Sequence, residues 1–100
     1  MAYKVIWSKE AENSFLEIVD YIIFRWSERE GINFIERTED LIAQITIHPY
    51  LFRVYNNDPS IRQGLLHKNT TMFYKVVPEN KTIKIMLFWI VKKNPQSLKL

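Results

Sequence analysis

The chain has 100 residues, 47% of them hydrophobic and 14% aromatic, which suits one core and excludes both a disordered chain and a two-domain one. It has no cysteine, which excludes disulfides and thiolate chemistry and makes a reducing cytoplasm the expected setting. The net charge of +3 hides a split: residues 1–50 hold five Lys/Arg against nine Asp/Glu (−4) and residues 51–100 hold nine against two (+7), a basic half that points to a phosphate-bearing or acidic partner.

Tyr3 to Trp7 predicts a short strand, being rich in aromatic and β-branched residues. Ser8 stands as a helix N-cap, its hydroxyl placed to accept from a free amide of the first turn. Ala11, Phe15, Ile18, Val19, Ile22, Ile23 and Trp26 follow at helical spacing and predict about five turns with one apolar stripe. Ser27 and Glu30 form a capping box, so a second helix starts almost where the first stops. Its stripe is Ile35, Thr38, Leu41, Ile42 and Ile45, with Phe34 beside it, and Pro49 ends it near Ile47. Residues 49–60 read as a loop, aromatic at first and dense in turn formers at its end.

Strands are predicted at about Ile61–Lys68, Thr71–Val77 and Thr82–Val91, joined by connections short enough for hairpins. The unbroken apolar run from Ile85 to Val91 predicts a strand covered on both faces and central in the sheet. At seven residues it is far short of the roughly 20 that span a bilayer, and Met1 to Trp7 is too short for a signal peptide, so no membrane partner is expected. The tail from Lys92 is expected to lie over a sheet edge. The order β-α-α-β-β-β predicts an α+β fold, a single domain over residues 1–100. A helical hairpin packs on one face of a twisted, mainly antiparallel four-stranded sheet.

No phosphate loop, dinucleotide fingerprint, zinc-ligand spacing or nucleophile elbow is present, so no cofactor or metal is expected. His48 and His67 are the only histidines. Strand periodicity puts Arg62, Gly64, Leu66 and Lys68 on one face and Ile61, Gln63, Leu65 and His67 on the other. Arg62, among apolar neighbours, needs a definite partner. Arg53 sits among Tyr50, Phe52 and Tyr55, a composition that suits either phosphate and base stacking or a small aromatic cluster under the loop. Lys92 and Lys93 follow the last strand directly.

Several stretches together resemble the RelE/ParE superfamily of toxins from bacterial type II toxin–antitoxin systems. They are residues 3–11, Tyr21-Ile22, Trp26-Ser27, His48-Pro49, Ile61-Arg62, Phe73-Tyr74, and Phe88-Trp89 followed by Asn94-Pro95. The likeness covers nearly the whole chain and rests on order and spacing, not on one motif. It implies the fold above, a bacterial cytoplasm and a cognate antitoxin protein. RelE-type members cut messenger RNA in the ribosomal A site with basic side chains and often a C-terminal tyrosine. ParE-type members lack that set and act on DNA gyrase.

Here the arginine that RelE-like enzymes carry early in the second meander strand falls at Thr71, and the one usual after the last strand falls at Lys92. Lysine keeps the charge and loses the planar fork. No tyrosine follows Tyr74. The resemblance therefore implies a ParE-like toxin that binds DNA gyrase. The alternative is a ribosome-dependent mRNA endonuclease, with His67 as acid or base and Arg62 with Lys68 stabilising charge. In either case Arg53, Lys92 and Lys93 would hold the target or RNA. A stand-alone nucleic-acid-binding module has no motif in its favour. The antitoxin's C-terminal segment would cover the basic surface or the apolar grooves beside the hairpin, where Leu16, Tyr21 and Phe24 fall off the main stripe.

Overall fold

In the computed structural model, which describes residues 2–67 and 69–91, a serine opens each helix of the hairpin. Ser8 caps α1 (Lys9–Arg25), its Oγ accepting from the Ala11 amide at 2.9 Å. Ser27 caps α2 (Glu28–Ile47), accepting from the Glu30 amide at 3.2 Å. Glu10, Glu12, Glu28 and Glu30 lie in the two first turns, where the helix dipole favours negative charge. Helix α2 stops at His48, whose amide closes on the Gln44 carbonyl one residue before Pro49. The turn between the helices is tight enough to need Gly31: a Cβ there would stand 2.6 Å from Ile23 Cγ1.

The sheet has five strands, not four. After β1 (Lys4–Trp7) and the helices come β2 (Arg53–Tyr55), β3 (Asp58–His67), β4 (Thr70–Val77) and, past a 3-10 turn, β5 (Thr82–Ile90). Their order across the sheet is β1-β5-β4-β3-β2, with β1 parallel to β5 and every other pair antiparallel. The added strand lies in the stretch read as a loop. Asn56 and Asn57 take φ of 54° and 63°, as a type I′ turn requires, and fold β2 back on β3. Pro59 obscured the start of β3, because a proline cannot donate to a ladder and so argues against a strand.

The run in β5 also differs from expectation. The middle strand is β4, and β5 is covered on one face only. Ile83, Ile85 and Phe88 are buried, whereas Trp89 is 58% exposed. Phe73 pairs with Leu87 while Tyr74 pairs with Ile85, which leaves Met86 as the extra residue of a bulge. The bulge resets the alternation and so produces a continuous apolar run without two-sided burial. Ser8 serves this irregularity as well as its helix, since its hydroxyl donates to the Met86 carbonyl at 2.9 Å.

The core lies between the hairpin and the inner face of the sheet. Ala11, Ile18, Val19, Ile22, Phe34, Leu41 and Ile45 meet Leu66, Met72, Tyr74, Val76, Ile83, Ile85 and Phe88. Phe88 stacks on Trp7 with centroids 5.4 Å apart and lies 5.2 Å from Phe15, which stacks on Phe34 at 5.6 Å. Two stripe residues fall outside the core: Ile23 is 39% and Trp26 57% exposed, Trp26 being the cap that ends α1. In α2 Phe34 is buried, while Ile35 and Ile42 are half-buried at the margin.

Candidate functional site

The partner of Arg62 is the backbone of the preceding loop. Its Nε donates to the Pro59 carbonyl at 3.0 Å, and Nη1 donates to Phe52 at 3.1 Å and Tyr50 at 3.4 Å. Its guanidinium lies 4.9 Å from the centroid of the Tyr50 ring. One planar fork thus ties Tyr50 and Phe52, ahead of β2, to the start of β3. The nearby aromatics divide accordingly: Phe52 packs on the core, and Tyr55 stands edge-on to Phe73 at 4.9 Å. Arg62→Ala is expected to lower stability by about 1–2 kcal/mol, below the full value of charged hydrogen bonds because the fork is half-buried. Arg62→Lys should recover little of that loss, since an ammonium lacks the fork. Thermal denaturation of both variants checks this.

His67 lies elsewhere. It ends β3 beyond a bulge, exposed, and five residues from Arg62 place it roughly 16 Å away along the strand. The two do not converge. Beside His67 a groove of about 410 Å³ is lined by Trp26, Glu30, Phe34, Arg37 and Ile90. Arg37, absent from the sequence-based set, donates to the Leu66 carbonyl at 3.4 Å and brings a cation to this groove. On a helical wheel it reads as one more solvated polar residue, so no sequence signal marks it. Arg53 is exposed at the start of β2, opposite Gln63. Lys68, Lys92, Lys93 and the tail lie outside the described residues. Among the described residues no three His, Cys, Asp or Glu gather as metal ligands, and no helix is long and apolar enough to cross a membrane.

The helices cover one face of the sheet, and among the described residues nothing covers the other. Register gives the open face as rows: Ile6–Lys84–Lys75–Ile61, then Leu87–Phe73–Gln63–Arg53, then Trp89–Thr71–Leu65. Leu65 is 63% exposed, and none of Phe73, Leu87, Leu65 or Trp89 belongs to the core cluster. No acidic residue falls in these rows. Asp58 and Glu79 line a pocket beside Lys75; Asp58 accepts from the Ser60 hydroxyl at 2.7 Å and the Ser60 amide at 3.0 Å. Those bonds lower its pKa below the usual value, with the charge of Lys75 adding a smaller effect. All nine acidic residues of the first half sit on α1 and α2. Among the described residues, then, the carboxylates of the first half lie on the helical layer, while Arg53, Lys75 and Lys84 lie on the opposite face of the sheet. On the acidic side Leu16 and Phe24 are exposed, while Tyr21 is half-buried with its ring edge-on to Trp26 at 6.0 Å.

A family model matches most of the chain, and solved structures share its fold. The family model for the ParE toxin of type II toxin–antitoxin systems, parDE, matches residues 5–95. A chromosomal ParDE toxin–antitoxin structure from Pseudomonas aeruginosa superposes with a TM-score of 0.72 at 13% identity, covering 91% of this chain and 98% of that one. The free-state structure of a variant of the Escherichia coli toxin RelE gives 0.68 at 13% identity, over 90% and 84%. A YoeB/ParE toxin from Agrobacterium tumefaciens gives 0.63 at 12% identity, over 89% and 99%. At these identities the superpositions speak for the fold. No curated protein sequence matches.

Proposed function

The chain belongs to the ParE toxin family of type II toxin–antitoxin systems, and from that premise we propose that it is a ParE-like toxin. It arrests bacterial growth by binding a target such as DNA gyrase, and a cognate antitoxin in the same cytoplasm neutralises it. The observation that supports binding over chemistry is the commitment of Arg62. A side chain that already holds three backbone carbonyls and an aromatic face is ill placed to stabilise a transferring phosphate. His67, at the far end of the same strand, shares no site with it.

One observation favours a second reading, the ribosome-dependent mRNA endonuclease. The groove that sets His67 near Arg37 and Glu30 offers the residue types that general acid–base cleavage of RNA uses. Induction in growing bacteria, with transcript 5′ ends mapped genome-wide, separates the two. Growth arrest with uncut transcripts, and loss of supercoiling activity when purified gyrase meets the purified toxin, are the expected results. Cuts within translated codons that disappear in His67→Ala would overturn the proposal.

A further inference from the structure

We infer that β2 is a self-association edge, where a second copy of the chain adds its own β2 antiparallel about a two-fold axis at Val54. The inference goes beyond the toxin reading and does not rest on it. Arg53, Val54 and Tyr55 end the sheet, all exposed, and among the described residues no strand pairs with their outer side. An edge strand directs unpaired N–H and C=O groups outward, a template for another strand. The opposite edge is guarded at its start, where the Tyr3 amide donates to the Thr46 carbonyl of α2 at 2.8 Å. Apolar area also gathers at β2, since Tyr50, Leu51, Val54 and Tyr55 are all exposed.

The strand's own sequence selects the occupant. An antiparallel pairing centred on Val54 sets Val54 against its copy and Arg53 against Tyr55 of the other chain, twice over. Each guanidinium then meets an aromatic ring. An in-register parallel pairing, or an antiparallel one centred on Arg53, sets arginine against arginine, which destabilises a sheet. The Arg53 guanidinium has no partner among the described residues of its own chain. The strand is also held ready: Phe73 keeps Tyr55 edge-on at 4.9 Å, and Arg62 holds the Phe52 carbonyl at 3.1 Å, so the second copy has little left to order. With the axis normal to the sheet, two five-stranded sheets become one, both helical layers on the same side. A three-residue strand and its flanks fall short of the roughly 1,200 Å² of a standard interface, so the pairing is weak and reversible.

Sedimentation equilibrium of the purified chain, from micromolar to millimolar concentration at physiological ionic strength, tests the inference. The wild type should pass from monomer to dimer across that range. Arg53→Glu removes the cation from both ring contacts, and Tyr55→Arg sets like charges opposite each other. Each variant alone should dimerise about tenfold or more weakly. Mixed, the two should form a heterodimer. The new carboxylate of one then faces the new guanidinium of the other, while the native arginine and tyrosine still meet. That rescue also shows both variants to be folded. A wild type that stays monomeric, a dimer indifferent to both variants, or a mixture that stays monomeric would each overturn the inference. A monomeric wild type whose binding to its antitoxin falls in Arg53→Glu would assign the edge to an antitoxin strand instead.

Discussion

Replacing Phe88 by alanine is expected to cost about 3–5 kcal/mol, a large part of the 5–15 kcal/mol that holds a typical domain folded. Phe88 is almost fully buried and joins Trp7 of the first strand to Phe15 of the first helix, so its loss opens a cavity where three elements meet. The position is also locked in the backbone, because the Phe88 amide donates to Ser14 Oγ at 3.0 Å and that section of α1 therefore has little freedom to collapse inward. Trp89→Ala is the matched control. It lies one residue on, points to the open face and should change stability by about 0.5 kcal/mol or less. Urea denaturation midpoints for the two variants measure the difference directly. Equal costs would mean that the inner and outer faces of β5 have been assigned wrongly.

Tyr74→Phe should lower stability at neutral pH by about 1–3 kcal/mol and at the same time flatten the alkaline limb of the stability curve. The side chain is fully buried in the middle strand, and its hydroxyl donates to the Pro49 carbonyl at 2.9 Å. Phenylalanine fills the space and leaves that carbonyl without its donor, the usual origin of such a penalty. The pH effect follows from the phenol itself. Burial pushes its pKa up to about 12 from 10.0, against smaller opposing contributions from the Phe52 backbone and the Arg62 charge. The folded state thus holds its proton more tightly than the unfolded chain does. Stability from this group is complete below pH 10 and is lost as pH climbs toward 12. Denaturation at several pH values should show the wild type losing more than Tyr74→Phe across that window. Parallel curves would show that Tyr74 does not titrate there.

The same residues show how far the sequence could be read. Ser8, Ser27 and Pro49 act within one turn of themselves, so helix starts and stops were legible: a cap needs only a hydroxyl and a nearby amide. The second hairpin was not, because Asn56-Asn57 is a weaker turn signal than a glycine pair and the strand it opens carries Pro59. The apolar run of β5 suggested two-sided burial where a bulge at Met86 had shifted the alternation, and a bulge depends on the partner strand's register. Arg62 was recognisable as needing a partner, but its three carbonyls come from residues 50, 52 and 59, and a loop's path is not written in periodicity. Arg37 and Glu30 reach the groove of His67 through the way helix and sheet close on each other. Only tertiary structure carries that.

The parallel pairing of β1 with β5 has a consequence for how the chain is born. Strand β1 leaves the ribosome before the other four strands, yet Lys4 to Trp7 pair with Thr82 to Ile85, and the Ser8 hydroxyl finds its acceptor 78 residues later. Until those residues are translated, the first strand has no neighbour and the core lacks Ile83, Ile85 and Phe88. The nascent chain therefore cannot mature piecemeal from its N-terminus, as successive domains do. Closure waits for the last strand to slide between β1 and β4, a long-range step of the kind that slows folding. A ribosome stalled before codon 82 holds a fragment with no finished sheet, and the core closes only once β5 has been made.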